Sequence, residues 1–197
     1  MKVGIAGGIG SGKSYVCRRL AVRGIDVYDC DSAAKRLMRG EQMQRQLEQL
    51  IGCKPDKAAL TRFLLASEEN AQAINAIVHP AVFADFEQSG LLWLESGIMF
   101  ESGANRYVDR VIVVTAPLEV RIDRIMRRDA ISRQQALDWI ARQWPQDRVR
   151  SLADFEILND GLADLDQQIE NIIKLLYRDD VISLCRNNVV PSYCKNE

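Results

Sequence analysis

A glycine-rich run near the N-terminus carries the strongest chemical signal in this 197-residue chain: Gly7, Gly8, Ile9, Gly10, Ser11, Gly12, Lys13 and Ser14 read G-x-x-x-x-G-K-S. Glycines let backbone N–H groups close around phosphate oxygens where a Cβ would obstruct, and a helix starting behind the loop adds a favourable dipole. In such a loop Lys13 reaches the β- and γ-phosphates of a nucleoside triphosphate, and the Ser14 hydroxyl ligates Mg2+. A glycine turn that binds nothing would show the same spacing in about one chain in a hundred of this length. The flanks separate the two readings. Val3, Ile5 and Ala6 form a short apolar run suited to a buried strand, while Val16, Cys17, Leu20 and Ala21 fall at helical spacing.

Carboxylates come next. Gly24 stops the first helix, and Ile25, Val27 and Tyr28 make a short second strand ending at Asp29-Cys30-Asp31. Ligands of parallel α/β sheets bind at that strand edge, and residues two apart on a strand point the same way, so both acids fit a site. Asp31 equally fits the N-cap of a helix beginning at Ser32-Ala33-Ala34. His79, the only histidine, precedes Pro80 where the proline interrupts a helical pattern. A lone histidine is more often structural than catalytic. Of the crowded arginines, Arg121 and Arg124 read as a solvated helix face. The stretch Arg128 to Arg133 falls where the helix breaks and restarts, with Ser132 as cap. By analogy with small phosphotransferases, an arginine-bearing lid here would close over ATP and neutralise transition-state charge.

Holding these groups requires a parallel sheet. Leu91 to Glu95 reads as a third strand, followed by the apolar segment Gly97 to Glu101; Arg110 to Thr115 is the clearest buried strand, and Phe155 to Leu158 a fifth before the turn Asn159-Asp160-Gly161. The expected fold is α/β, a P-loop kinase with a five-stranded parallel sheet flanked by helices. From Ala33 to about Gly90 the pattern is almost entirely helical, too long for one crossover helix, so an inserted helical subdomain is predicted. The expected division is a kinase core of 1–36 and 91–197, an insert of 37–90, and a lid of 127–150. The last helix carries Leu165, Ile169, Ile172, Ile173 and Leu176. After about Asp180 the period lapses, and the final residues are expected to be poorly ordered.

Composition narrows the class. A net charge of −1 offers no basic field for nucleic acid or an anionic membrane, so the expected ligands are small molecules. Five cysteines without a C-x-x-C pair argue against a disulfide framework and a zinc site, and fit reduced thiols in the cytoplasm. No segment approaches the roughly 18 apolar residues of a membrane span. A GTPase switch would carry D-x-x-G and N-K-x-D, and neither occurs. A transport or motor ATPase would show an apolar strand ending in Asp-Glu or an L-S-G-G-Q signature, and Leu94-Glu95 is only the nearest approach. A small-molecule kinase remains.

The ordered set of motifs resembles the dephospho-coenzyme A kinase family: G-G-I-G-S-G-K-S, Val27-Tyr28-Asp29-Cys30-Asp31 with Ala34-Lys35-Arg36, Ile77-Val78-His79-Pro80, Ile98-Met99-Phe100-Glu101, Arg127-Arg128-Asp129 with Arg133, and Asn159-Asp160-Gly161. The match runs in order from Val3 to about Gly161. The resemblance implies a P-loop core with a helical coenzyme A subdomain and a lid, transferring the ATP γ-phosphate to the ribose 3′-hydroxyl of dephospho-CoA, the final step of CoA biosynthesis. It implies ATP and Mg2+ as cofactors and no obligate protein partner. By position, Asp31 would adjoin the acceptor hydroxyl, with Asp29, Lys57, His79 and Glu101 on the acceptor side. Residues 7–14 and Asn159 would hold ATP, and Arg133 would be the lid arginine on its phosphates. Three residues depart from the family pattern. Lys57 replaces an arginine and loses bidentate geometry, Gly97 stands where proline is usual, and Cys30 where alanine is. A nucleoside or nucleoside-monophosphate kinase of the same fold is the alternative.

Overall fold

Val3–Ala6 (β1) is apolar and buried at every residue, as a strand covered on both faces must be. The computed structural model describes residues 1–186, so the expectation for the last residues of the tail, 187–197, lies outside the described residues. With Val27–Asp29 (β2), Trp93–Glu95 (β3), Arg110–Thr115 (β4) and Phe155–Leu158 (β5), β1 forms a five-stranded sheet in the order β2-β3-β1-β4-β5. Every pairing is parallel, as expected. Val3 is in register with Trp93 on one side and Arg110 on the other. The third strand starts two residues later than its sequence implies, because Leu92 is half exposed.

Alternation along β4 splits the core into two layers. Val111 and Val113 face Leu94 and Phe86, while Ile112 and Val114 face Val16 and Leu20 of α1 (Lys13–Ala21) and Ile169 of α9 (Leu165–Arg186). The first layer is built by Cys30–Leu37 (α2), Glu41–Ile51 (α3), Lys57–Ala66 (α4) and Glu68–Ser89 (α5), which fill the whole connection from β2 to β3. Asp56 and Ser67 cap α4 and α5 through their side chains.

Two expectations are corrected. The helix does not break at His79-Pro80; α5 runs on to Ser89, because Ile74, Val78, Val82 and Phe86 form one buried stripe whose packing outweighs the backbone hydrogen bond that Pro80 cannot make. The last helix likewise extends past Asp180 to Arg186. Among the described residues no helix is long and apolar enough to cross a membrane.

A third, small core joins Leu118–Asp129 (α6) to Arg133–Ala141 (α7): Ile122, Ile125 and Ala136, with Trp139, Ile140 and Ile9 of the glycine loop packed against them. A short helix, Gln146–Ser151 (α8), returns the chain to β5. From β1 the chain runs outward to β2, returns as β3 beside β1, and crosses to β4. A crevice therefore opens beyond the carboxyl ends of β1 and β3, the usual ligand position in such sheets.

Candidate active site

The glycine loop leaves β1 into that crevice. Gly12 takes up φ 96° as the N-cap of α1, and a Cβ there would stand 2.0 Å from Asn159 Nδ2, so glycine is required for both reasons. Asn159, in the turn after β5, is buried and donates through Nδ2 to the Ser11 carbonyl at 2.9 Å. Arg124 donates to the Gly10 and Ser11 carbonyls at 3.3 and 3.2 Å and to Asn159 Oδ1 at 3.0 Å. The Gly10 and Ser11 carbonyls are thereby held. Ser11 itself is fully buried, its hydroxyl without a partner among the protein atoms.

Arg121 and Arg124 are thus not a solvated face. Arg121 is 5 % exposed, its Nε donates to the Ile9 carbonyl at 2.9 Å, and burial lowers its pKa. Among the described residues no carboxylate pairs with it. A buried cation without a counter-ion is costly, and its position against the phosphate loop suits an arriving anion. Residues 121, 124 and 128 fall at i, i+3 and i+7, one stripe of α6 facing the loop; that spacing was the signal in the sequence.

The acids divide their work. Asp29 caps α2, its Oδ1 accepting from Ser32 N–H at 3.0 Å and its Oδ2 from the Ser32 hydroxyl at 2.7 Å. Asp31, for which a capping role fitted the sequence equally well, is no cap but an exposed first-turn residue of α2 bordering the cavity, because the helix starts two residues earlier than Ser32. Cys30 between them is buried, and burial drives its thiol pKa far above the ordinary value, so the neutral thiol persists. Glu95, at the end of β3, is a site residue that its likeness to no ATPase motif concealed. It is 8 % exposed, and its Oε1 lies 3.4 Å from Lys13 Nζ. Burial raises its pKa; Lys13 opposes this, and Asp31 and Asp29 reinforce it.

These groups share one cavity of about 880 Å³, bordered by Ile9, Gly10, Gly12, Lys13 and Ser14 of the loop, by Asp29, Asp31 and Glu95, and by Arg124, Arg128 and Gln143. Asp31 also borders a smaller apolar cavity of about 190 Å³, which His79 and Phe83 share. His79 borders in turn a third space of about 360 Å³ together with Glu101 and Arg106. Burial lowers the His79 pKa. Glu101 accepts the Trp144 N–H at 3.0 Å. Two anticipated residues lie elsewhere: Lys57 is the exposed first residue of α4 and borders none of these spaces, and Arg133, exposed, forms two hydrogen bonds to Glu119 at 2.6 and 2.7 Å. Gln143 was not anticipated, since nothing in the sequence marks one glutamine after a helix.

A parallel sheet with the strand order 2-3-1-4-5, a G-x-x-x-x-G-K-S loop between β1 and α1, and carboxylates on the neighbouring strand ends define a P-loop small-molecule kinase. Solved structures agree: a crystal structure from Thermus thermophilus superposes with a TM-score of 0.77 at 30 % identity, covering 90 % of this chain and 97 % of that one. A shikimate kinase from Acinetobacter baumannii shares the fold at a TM-score of 0.53 and 16 % identity, covering 90 % of this chain and 93 % of its own. The dephospho-CoA kinase family profile matches residues 1–164. The dephospho-CoA kinase of Bacteroides fragilis is 36 % identical over 192 residues, spanning 90 % of this chain and 94 % of the relative; that of Thermus thermophilus is 33 % identical over 181 residues, spanning 87 % and 89 %. The chain belongs to the dephospho-CoA kinase family.

Proposed function

We propose that this protein transfers the γ-phosphoryl group of ATP to the ribose 3′-hydroxyl of dephospho-CoA, completing coenzyme A. Beyond family membership, one observation carries the reading. Asp31 and His79 each border two of three successive spaces between the phosphate loop and α5, which offers an acceptor more room than the phosphate-loop cavity alone. The helical stretch 37–90 serves as the acceptor subdomain in this reading, and remote contacts along it would place the hydroxyl in line.

Lys13, the loop amides, Arg124 and Arg128 surround the phosphates and offset charge on the moving group. Asp31, free of capping duty, orients the acceptor hydroxyl and takes its proton. The Ser14 hydroxyl at the loop's edge is a hard oxygen ligand of the kind Mg2+ takes, and Asp31 and Glu95 border the same cavity; among the described residues no three carboxylates are grouped closely enough to hold the ion by themselves, so the nucleotide phosphates would complete its shell. When bound, Mg2+ would neutralise phosphate charge. Residues 127–150 act as the lid, and Arg133 joins the phosphates only after leaving Glu119. We place the reaction in the cytoplasm, on small molecules alone, which the net charge of −1 and the free thiols of Cys17, Cys30 and Cys53 support.

The test is ATP consumption across dephospho-CoA, AMP, CMP and adenosine. Dephospho-CoA is expected to exceed the others in kcat/KM by at least about 10³-fold, roughly 4 kcal/mol of transition-state binding, with the new phosphate on the 3′-oxygen by phosphorus NMR. Comparable turnover of a simple nucleotide would instead identify a nucleoside or nucleoside-monophosphate kinase.

A further inference from the structure

Ile9, in the curve of the phosphate loop, is held at three points by the arm that follows β4. Its side chain packs into the small core between α6 and α7. Its carbonyl accepts from Arg121 Nε at 2.9 Å, and its N–H donates to Gln143 Oε1 at 2.7 Å. The approach is close: a Cβ on Gly8 would stand 2.5 Å from the Arg121 guanidinium and 3.2 Å from Gln143 Oε1, so a side chain there would push both of these side-chain ends aside.

The same Gln143 amide works in the other direction. Its Nε2 donates to the Gly97 carbonyl at 3.0 Å, on the segment that follows β3, and the next residue, Trp144, donates its N–H to Glu101 Oε1 at 3.0 Å. Gly97 sits where three parts meet, since a Cβ built on it lies 3.5 Å from Gln143 Nε2 and 3.7 Å from Lys13 Nζ. Only a side chain with an acceptor and a donor side by side can span Ile9 N–H and Gly97 C=O. Glutamate could accept from Ile9 but would face the Gly97 carbonyl with like polarity, and leucine could do neither.

We propose that Gln143 is a positioning residue for phosphoryl transfer, a reading that rests on the kinase function above. It fixes the separation between the phosphate loop and the Gly97 to Glu101 segment, so the site holding the γ-phosphate and the segment leading to the acceptor move as one with the arm. Because Gln143 already takes the Ile9 N–H, that amide is not among the donors left for phosphate, and ATP binding is expected to depend on Gln143 little. The geometry at the moment of transfer depends on it.

Two measurements on Gln143→Leu test this. The Ile9 amide of the ligand-free protein is expected to exchange with solvent at least about tenfold faster than in wild type, while Gln143→Glu keeps it protected. Steady-state kinetics are expected to show kcat lowered by about 10- to 100-fold, with the Kd of a non-hydrolysable ATP analogue changed less than about threefold. Should the leucine variant fail to fold, Gln143→Ala carries the same readouts. Unchanged Ile9 exchange overturns the proposal, as does wild-type kcat or a loss confined to analogue binding. If wild-type protein leaves dephospho-CoA unphosphorylated, the functional reading falls on its own, and Ile9 exchange still decides whether Gln143 holds the loop.

Discussion

Lys13 and Glu95 face each other across the joint between β1 and β3, ammonium to carboxylate at 3.4 Å, with side chains only 12 % and 10 % exposed. The lysine of the phosphate loop is already paired with an acid, which would compete with an incoming nucleotide for it. Lys13→Ala is expected to remain folded and to lose at least about 10²–10³ in rate. Glu95→Gln, by removing the competing anion, is expected to tighten Mg2+-free ATP several-fold in a fluorescent-nucleotide titration. Weaker binding by that variant would show that the pair does not compete with phosphate.

Glu95 also imposes a pH slope on stability. Its pKa is raised by burial despite Lys13, so between the ordinary 4.5 and the raised value the folded chain binds more protons than the unfolded one. Its contribution is therefore fully present below 4.5 and lost as pH climbs through the raised value. Urea midpoints measured against pH should fall more steeply over that range for the wild type than for Glu95→Gln. Parallel curves would contradict the shift.

Asp29 and Asp31 should separate by readout. Asp29→Ala loses the α2 cap and is expected to cost about 0.5–2 kcal/mol of stability. Asp31→Asn should leave stability nearly unchanged and lower kcat by about 10²–10⁴ with ATP affinity retained. If Asp31→Asn is near wild type and Asp29→Asn is inactive, the base has been assigned to the wrong carboxylate.

His79 is the only imidazole in the sequence, so one NMR resonance reports it without assignment. Burial lowers its pKa, and its midpoint is expected below 6.5. The neutral ring's contribution to stability is present above 6.5 and lost as pH falls through the lowered value, and His79→Phe should remove that slope. A midpoint at or above 6.5 would mean that the ring is more solvated, or closer to an anion, than its surroundings on α5 imply.

Arg133, paired with Glu119, is proposed to reach the phosphates on lid closure, so Arg133→Ala is expected to lower kcat more than it weakens ATP binding without acceptor. Glu119→Gln, which frees that guanidinium, should not lower kcat. Wild-type kcat in Arg133→Ala, with loss in Arg128→Ala, would transfer the role to the arginine already bordering the cavity.

The strands and the phosphate loop were legible because each is a local pattern: a short apolar run, or glycines at fixed spacing before Lys13. Family resemblance favoured the functional over the structural reading of Asp31 and His79 and added Glu101 and Asn159; all four border the cavities or brace the loop. What escaped depends on three-dimensional placement. An arginine on a helix looks solvated until the helix is docked, and Arg121 is buried only because α6 lies against Ile9. Glu95 ends a three-residue strand, too short to announce a buried acid. Pro80 was read by its local chemistry, whereas the buried stripe from Ile74 to Phe86 keeps α5 whole. Gly97 shows the reverse case: a Cβ there would meet only ordinary contacts, so the departure from proline costs the site no space.

The register of β1 also sets an order of assembly. Val3 pairs with Trp93 and Arg110, so β1 can find neither neighbour until residues 93 and 110 have followed it out of the ribosome. The nascent chain must carry an unpaired apolar strand through the synthesis of α2 to α5, whose mutual contacts close over shorter stretches of chain. The phosphate loop would then be among the last features to take shape, and a chaperone that shields β1 would be protecting the nucleotide site before it exists.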